Sequence, residues 1–104
     1  MQRVCFTLKL RADRLDEYVG RHKHVWPEMQ DALRATGWKN YSLFLGPGAT
    51  LIGYVEVEDF GKAVEGMKAF EVNERWQVEM LPFFEADGKA DDAMRPLVEI
   101  FHLD

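Results

Sequence analysis

The sequence is poor in the features that several classes of function require. Cysteine occurs once, at Cys5, so no intrachain disulfide can form and no C-x-x-C metal or redox pair exists. A single cysteine suits a reducing compartment, and a cytoplasmic location is expected. No run of about 18 apolar residues is present, so no transmembrane helix is expected. The first ten residues alternate and lack the continuous apolar stretch of a signal peptide. Basic residues are in deficit, with 13 Lys+Arg against 18 Asp+Glu and a net charge of −5. Phosphate backbones and anionic lipids do not attract such a chain, so neither nucleic acid nor membrane is an expected partner. Gly46-Pro47-Gly48 lacks the lysine and the following helix of a phosphate-binding loop. There is no Gly-x-Ser-x-Gly, and Cys5 has no histidine near it in sequence, so nucleophilic catalysis has no specific support. His22 and His24 are two apart and leave a helix on different sides. No third ligand accompanies them, and no metal is expected.

What is present is an ordinary core-forming composition. With 47% hydrophobic and 30% charged residues over 104 positions, the chain is long enough to fold as one domain spanning residues 1–104. Arg3–Leu10 alternates, with Val4, Phe6, Leu8 and Leu10 on one side and Arg3, Cys5, Thr7 and Lys9 on the other, which predicts a half-buried strand. Asp13 and Asp16 resemble a capping pair, and Leu15, Tyr18, Val19 and His22 follow at helical spacing. A long helix from Asp13 to Thr36 is expected, broken near Trp26 with Pro27 opening its second piece. Trp38–Leu45 and Leu51–Glu58 read as strands joined by a five-residue hairpin connection. Phe60–Phe70 and Val72–Phe84 read as helices, the second carrying the stripe Val72, Trp76, Met80 and Phe83. Glu85–Arg95 is polar and reads as a loop, and Pro96–Leu103 as a closing strand. The pattern β-α-β-β-α-β predicts an α+β, ferredoxin-like fold with helices on one sheet face. Phe44, Ile52 and Tyr54 fall on mixed faces of the hairpin, and so many aromatic and apolar residues call for a second layer over the sheet. A symmetric homodimer would provide it.

Tyr18 and His22 form an i, i+4 pair whose polar tips project from one helix face. They read either as a buried pair satisfied by backbone groups or as proton-transfer groups in a pocket between helix and sheet. Trp76 reads as core packing or as an indole wall against which a sugar ring stacks. Asn40, Tyr41 and Ser42 place three hydrogen-bonding side chains where a pocket mouth could use them. Glu28 lies where a carboxylate favours a helix N-terminus, and His24 is expected at a solvent-facing turn. Glu99 and His102 fall on opposite faces of the closing strand by parity and should not meet.

Arg21-His22-Lys23-His24-Val25-Trp26-Pro27-Glu28 resembles the R-H-x-x-[IV]-W-P-E segment of the L-rhamnose mutarotase family. Asn40–Leu45, Arg75-Trp76 and Val98–Leu103 resemble three further segments of that family, in order and at family length. The resemblance implies a dimeric α+β barrel without cofactors that interconverts the α and β anomers of a 6-deoxyhexose monosaccharide. It implies His22 as proton donor, with Tyr18, Tyr41 and the Trp76 region contacting the sugar. The family's second tryptophan is Gln77 here, which exchanges a stacking surface for an amide and makes L-fucose the rival substrate to L-rhamnose. The same fold also hosts cofactor-independent monooxygenases and small-molecule binding modules, and fold alone does not choose among them.

Overall fold

The computed structural model describes residues 1–85 and 93–104. β1 (Gln2–Lys9) leads through a 3₁₀ turn (Ala12–Arg14) into α1 (Leu15–His22) and α2 (Pro27–Ala35). β2 (Lys39–Gly46) and β3 (Thr50–Val57) follow, joined by a tight 3₁₀ turn at Pro47–Ala49. Then come α3 (Phe60–Lys68), α4 (Glu71–Met80), a 3₁₀ turn (Leu81–Phe83) and the short β4 (Arg95–Pro96). The sheet order is β2-β3-β1-β4, and every pairing is antiparallel. This is the expected ferredoxin-like α+β arrangement, with each helical connection split in two. No helix of the described residues is long and apolar enough to cross a membrane.

The break between α1 and α2 follows from one dipeptide. A residue before proline is pushed out of the α region, and Trp26 accordingly adopts φ −55°, ψ 134° while Pro27 opens α2. The Asp13–Asp16 pairing does not cap a helix. Asp13 lies within the 3₁₀ turn and the α1 cap position is Arg14, with no side-chain capping bond. The capping aspartate is Asp59, whose carboxylate accepts from the Lys62 backbone N–H at 3.1 Å at the start of α3.

The core lies between the sheet and the helices. Register places Phe6 opposite Gly53, Leu8 opposite Leu51 and Val4 opposite Val55, so these side chains share the helix-facing side. A Cβ at Gly53 would fall inside the Phe6 ring, and glycine is what lets that ring lie across β3. Cys5, Thr7, Ile52, Tyr54 and Phe44 share the opposite, outer side, because Cys5 pairs with Tyr54 and both Thr7 and Phe44 pair with Ile52. The hairpin's apolar residues are thus gathered on one outer face rather than mixed.

The closing strand is much shorter than the alternation of Pro96–Leu103 predicts. Only Arg95 and Pro96 pair with β1, and one further backbone bond runs from Leu97 N–H to the Cys5 carbonyl at 2.7 Å. Beyond it Val98 is 86% and Ile100 94% exposed: a single protomer offers these side chains no surface to bury against. Because the segment is not a strand, strand parity does not separate Glu99 from His102, which approach to 3.9 Å. Most of the expected loop Glu85–Arg95 lies outside the described residues.

Adding a methyl group at position 53 tests the Phe6 packing. Gly53→Ala should destabilise the fold by about 1–3 kcal/mol, the usual cost of overpacking, measured by denaturant unfolding. Unchanged stability would show that the Phe6 ring can move aside freely.

Candidate functional site

A cavity of about 510 Å³ opens between the inner sheet face and the helices. Phe6, Leu8, Leu43 and Leu51 form its floor, and α1, α2 and α4 form its walls. Tyr18 and His22 both line it, as their i, i+4 spacing anticipates, with ring centroids 4.2 Å apart. His22 Nδ1 lies 3.0 Å from the Tyr18 carbonyl oxygen. A carbonyl can only accept, so Nδ1 carries the hydrogen and Nε2 is the acceptor nitrogen of the neutral ring. The pair therefore satisfies both earlier readings at once, one nitrogen bound to backbone and the ring facing a pocket.

The two groups are shifted in opposite directions. Burial pushes the His22 pKa below its ordinary value, and the bond to the Tyr18 carbonyl opposes this in part. Burial also raises the Tyr18 phenol, with a smaller contribution from Tyr41. At neutral pH the wall thus presents an unprotonated imidazole beside a fully protonated phenol.

Trp76 lies across from them on α4. Its ring meets His22 edge-on at 5.4 Å and Trp26 at 5.0 Å, and the Arg75 guanidinium lies 5.6 Å from the Trp26 ring. The break at Trp26-Pro27 therefore supports the cavity wall by seating an indole against Trp76. Gln77 also lines the cavity and is only 6% exposed, which excludes a solvent-facing position. Asn73, one turn earlier, lines it too. Sequence reasoning passed over Asn73, although its i, i+4 spacing to Gln77 runs parallel to the Val72-Trp76-Met80 stripe.

Of the three polar residues opening β2, only Tyr41 reaches the cavity. A register shift between Lys39 and Ser42 inserts one extra residue, and Asn40 takes φ 48°. Tyr41 consequently faces inward, 4.9 Å from Trp38 and 6.3 Å from Phe6. Asn40 instead donates to Glu56 Oε1 at 3.1 Å, and Ser42 is exposed. His24 is exposed beyond the end of α1, and Glu28 sits exposed in the first turn of α2. No group of three or more His, Cys, Asp or Glu side chains among the described residues could hold a metal ion.

The sequence family described as L-rhamnose mutarotase matches residues 3–103. This chain belongs to that family. An L-rhamnose mutarotase from Oceanobacillus iheyensis is 35% identical over 105 residues, covering 100% of both chains. The crystal structure of an L-rhamnose mutarotase from Formosa agariphila superposes with a TM-score of 0.82 at 24% identity, covering 100% of each chain. That of an antibiotic biosynthesis monooxygenase superposes at 0.62 with 16% identity, covering 96% of this chain and 99% of the other. The two structures establish the fold, and family membership rests on the sequence match.

The His22 shift carries a sign for this mutarotase-family chain. Its pKa is lower folded than unfolded, so between the folded value and about 6.5 the unfolded chain binds more protons. The stability contributed by neutral His22 is complete above about pH 6.5 and is lost as pH falls through the folded pKa. Urea unfolding from pH 7.5 to 5 should therefore show a steeper loss of stability in wild type than in His22→Gln. Parallel curves would mean that His22 titrates alike in both states.

Proposed function

We propose that this chain interconverts the α and β anomers of L-rhamnose by opening and reclosing the pyranose ring at the cavity. The observation that carries this reading is the Tyr18–His22 pair, a neutral imidazole and a protonated phenol set side by side on one wall. Ring opening removes a proton from the anomeric hydroxyl and delivers one to the ring oxygen. His22 Nε2 takes the first as the bond from C1 to the ring oxygen breaks. The imidazolium so formed gives the proton to the ring oxygen, which sits on the same carbon. His22 is therefore base and then acid, which includes the donor role expected from the family resemblance. Tyr18, with its raised pKa, is a poor base and serves as a hydrogen-bond donor to the sugar. Rotation about C1–C2 and the reverse steps close the ring on the other face. Tyr41, Trp76 and Gln77 hold the sugar, the indole stacking on its apolar face.

An imidazole, two phenols and two amides in a cavity of about 510 Å³ favour a polar ring of monosaccharide size over the polycyclic substrates of the monooxygenases sharing the fold. L-Fucose is the second reading, favoured by the amide of Gln77 in the wall. A cytoplasmic location fits the single cysteine.

Saturation-transfer NMR on the anomeric protons of L-rhamnose tests the reaction directly. His22→Ala should slow protein-dependent exchange by about 10²–10⁴-fold, the usual worth of a general acid–base group, with circular dichroism unchanged. Tyr18→Phe should cost about tenfold, the scale of one hydrogen bond. Exchange at the wild-type rate in a folded His22→Ala protein would overturn the mechanism.

The protein functions as a homodimer through the outer sheet face. Phe44 there is 58% exposed, Ile52 and Tyr54 flank it, and the apolar segment from Val98 to Leu103 lacks a surface of its own. A second copy covers both. Light scattering at micromolar concentration should give twice 12.1 kDa, and Phe44→Glu should halve that mass. A wild-type mass of 12.1 kDa would refute the dimer.

A further inference from the structure

Asn73 and Gln77, at 4% and 6% exposure, are the two buried polar or charged side chains among the described residues. They stand one helical turn apart on α4, both line the cavity, and Trp76 lies between them in sequence. Gln77 Nε2 donates to Asn73 Oδ1 at 3.3 Å. Burying two amides costs free energy that leucine and methionine of similar shape would avoid. The neighbouring α4 positions Val72, Trp76 and Met80 are buried and apolar, so packing alone does not account for amides here. An amide carries N–H donors and a carbonyl acceptor, the two functions that a sugar hydroxyl can meet. The bond between the two amides couples their orientations, since an N–H end must face a carbonyl end.

We propose that Asn73 and Gln77 form a hydroxyl-reading pair that sets which 6-deoxyhexose stereoisomer the cavity turns over. Gln77 contacts the sugar, and Asn73 acts as a positioning residue that holds the Gln77 amide in one orientation. L-Rhamnose and L-fucose differ in the orientation of the hydroxyls at C2 and C4, so a fixed donor–acceptor unit can match one and leave the other imperfectly paired. Sites that hydrogen-bond a hydroxyl discriminate far more strongly than apolar ones for this reason. The inference rests on the mutarotase reading of the cavity.

The test measures anomer exchange of both sugars against concentration in wild type, Gln77→Met, Asn73→Leu and the double variant, with melting temperature alongside. Gln77→Met should change the ratio of the two kcat/KM values by roughly tenfold or more. Asn73→Leu should shift it the same way by less, raising KM more than it lowers kcat, and the double variant should match Gln77→Met. If the apolar variants do not fold, Gln77→Asn, which withdraws the amide by one methylene, should produce the same change in ratio. Equal losses on both sugars in every folded variant would make the pair structural and overturn the proposal. Wild type inactive on both sugars would instead refute the mutarotase reading.

Discussion

Everything in this small domain is built around the approach of the Phe6 ring to the backbone of Gly53. Phe6 is at once one of the most deeply buried side chains and part of the cavity floor. Its ring also stacks on Phe60 at 5.9 Å and meets Tyr41, tying the start of α3 and the strand β2 to the same point. A side chain at position 53 would lift the ring into the space above the sheet, where the cavity lies. The missing Cβ thus lets about one hundred residues hold both a close-packed core and an open pocket, two demands that normally compete.

On that floor the chemistry is set by spacing along helices. Tyr18 and His22 meet because they are four apart in α1, and Asn73 and Gln77 because they are four apart in α4. In each pair the helix supplies orientation as well as proximity, through a backbone carbonyl for the imidazole and through a neighbouring amide for Gln77. Opposed to these is Trp76, braced by Trp26 from the break at Pro27. The site therefore draws rigidity from regular elements rather than from loops.

Much of this was legible in the sequence because it depends on local periodicity. The alternation of β1, the helical stripes, the break at Trp26-Pro27 and the Tyr18–His22 pair all follow from residues a few positions apart. What was not legible depends on pairing across distance. Trp38, Tyr41 and Leu43 lie on the cavity side only because an extra residue at Asn40 shifts the parity of β2, and nothing in the alternation announces a non-glycine positive φ. The Asp13–Asp16 pattern mimics a cap, but the chain enters a 3₁₀ turn there and Asp59 does the capping. The alternation of Pro96–Leu103 records a face that needs burial without stating where, and within one protomer it finds no partner. Gln77 looked like a rim residue because adjacent helical positions diverge, yet the cavity is wide enough to take both it and Trp76.

All three tryptophans of the sequence belong to the cavity or its support. Trp38 and Trp76 line it, and Trp26 touches Trp76 at 5.0 Å. The protein therefore has no indole elsewhere to dilute a signal from this region, and its ultraviolet emission is in effect a report on the pocket alone. Filling the pocket replaces water around Trp38 and Trp76, and the quenching path from the His22 ring to Trp76 lies along the same wall. Binding and protonation can thus be followed optically in the unmodified chain, without a label that would disturb so small a site.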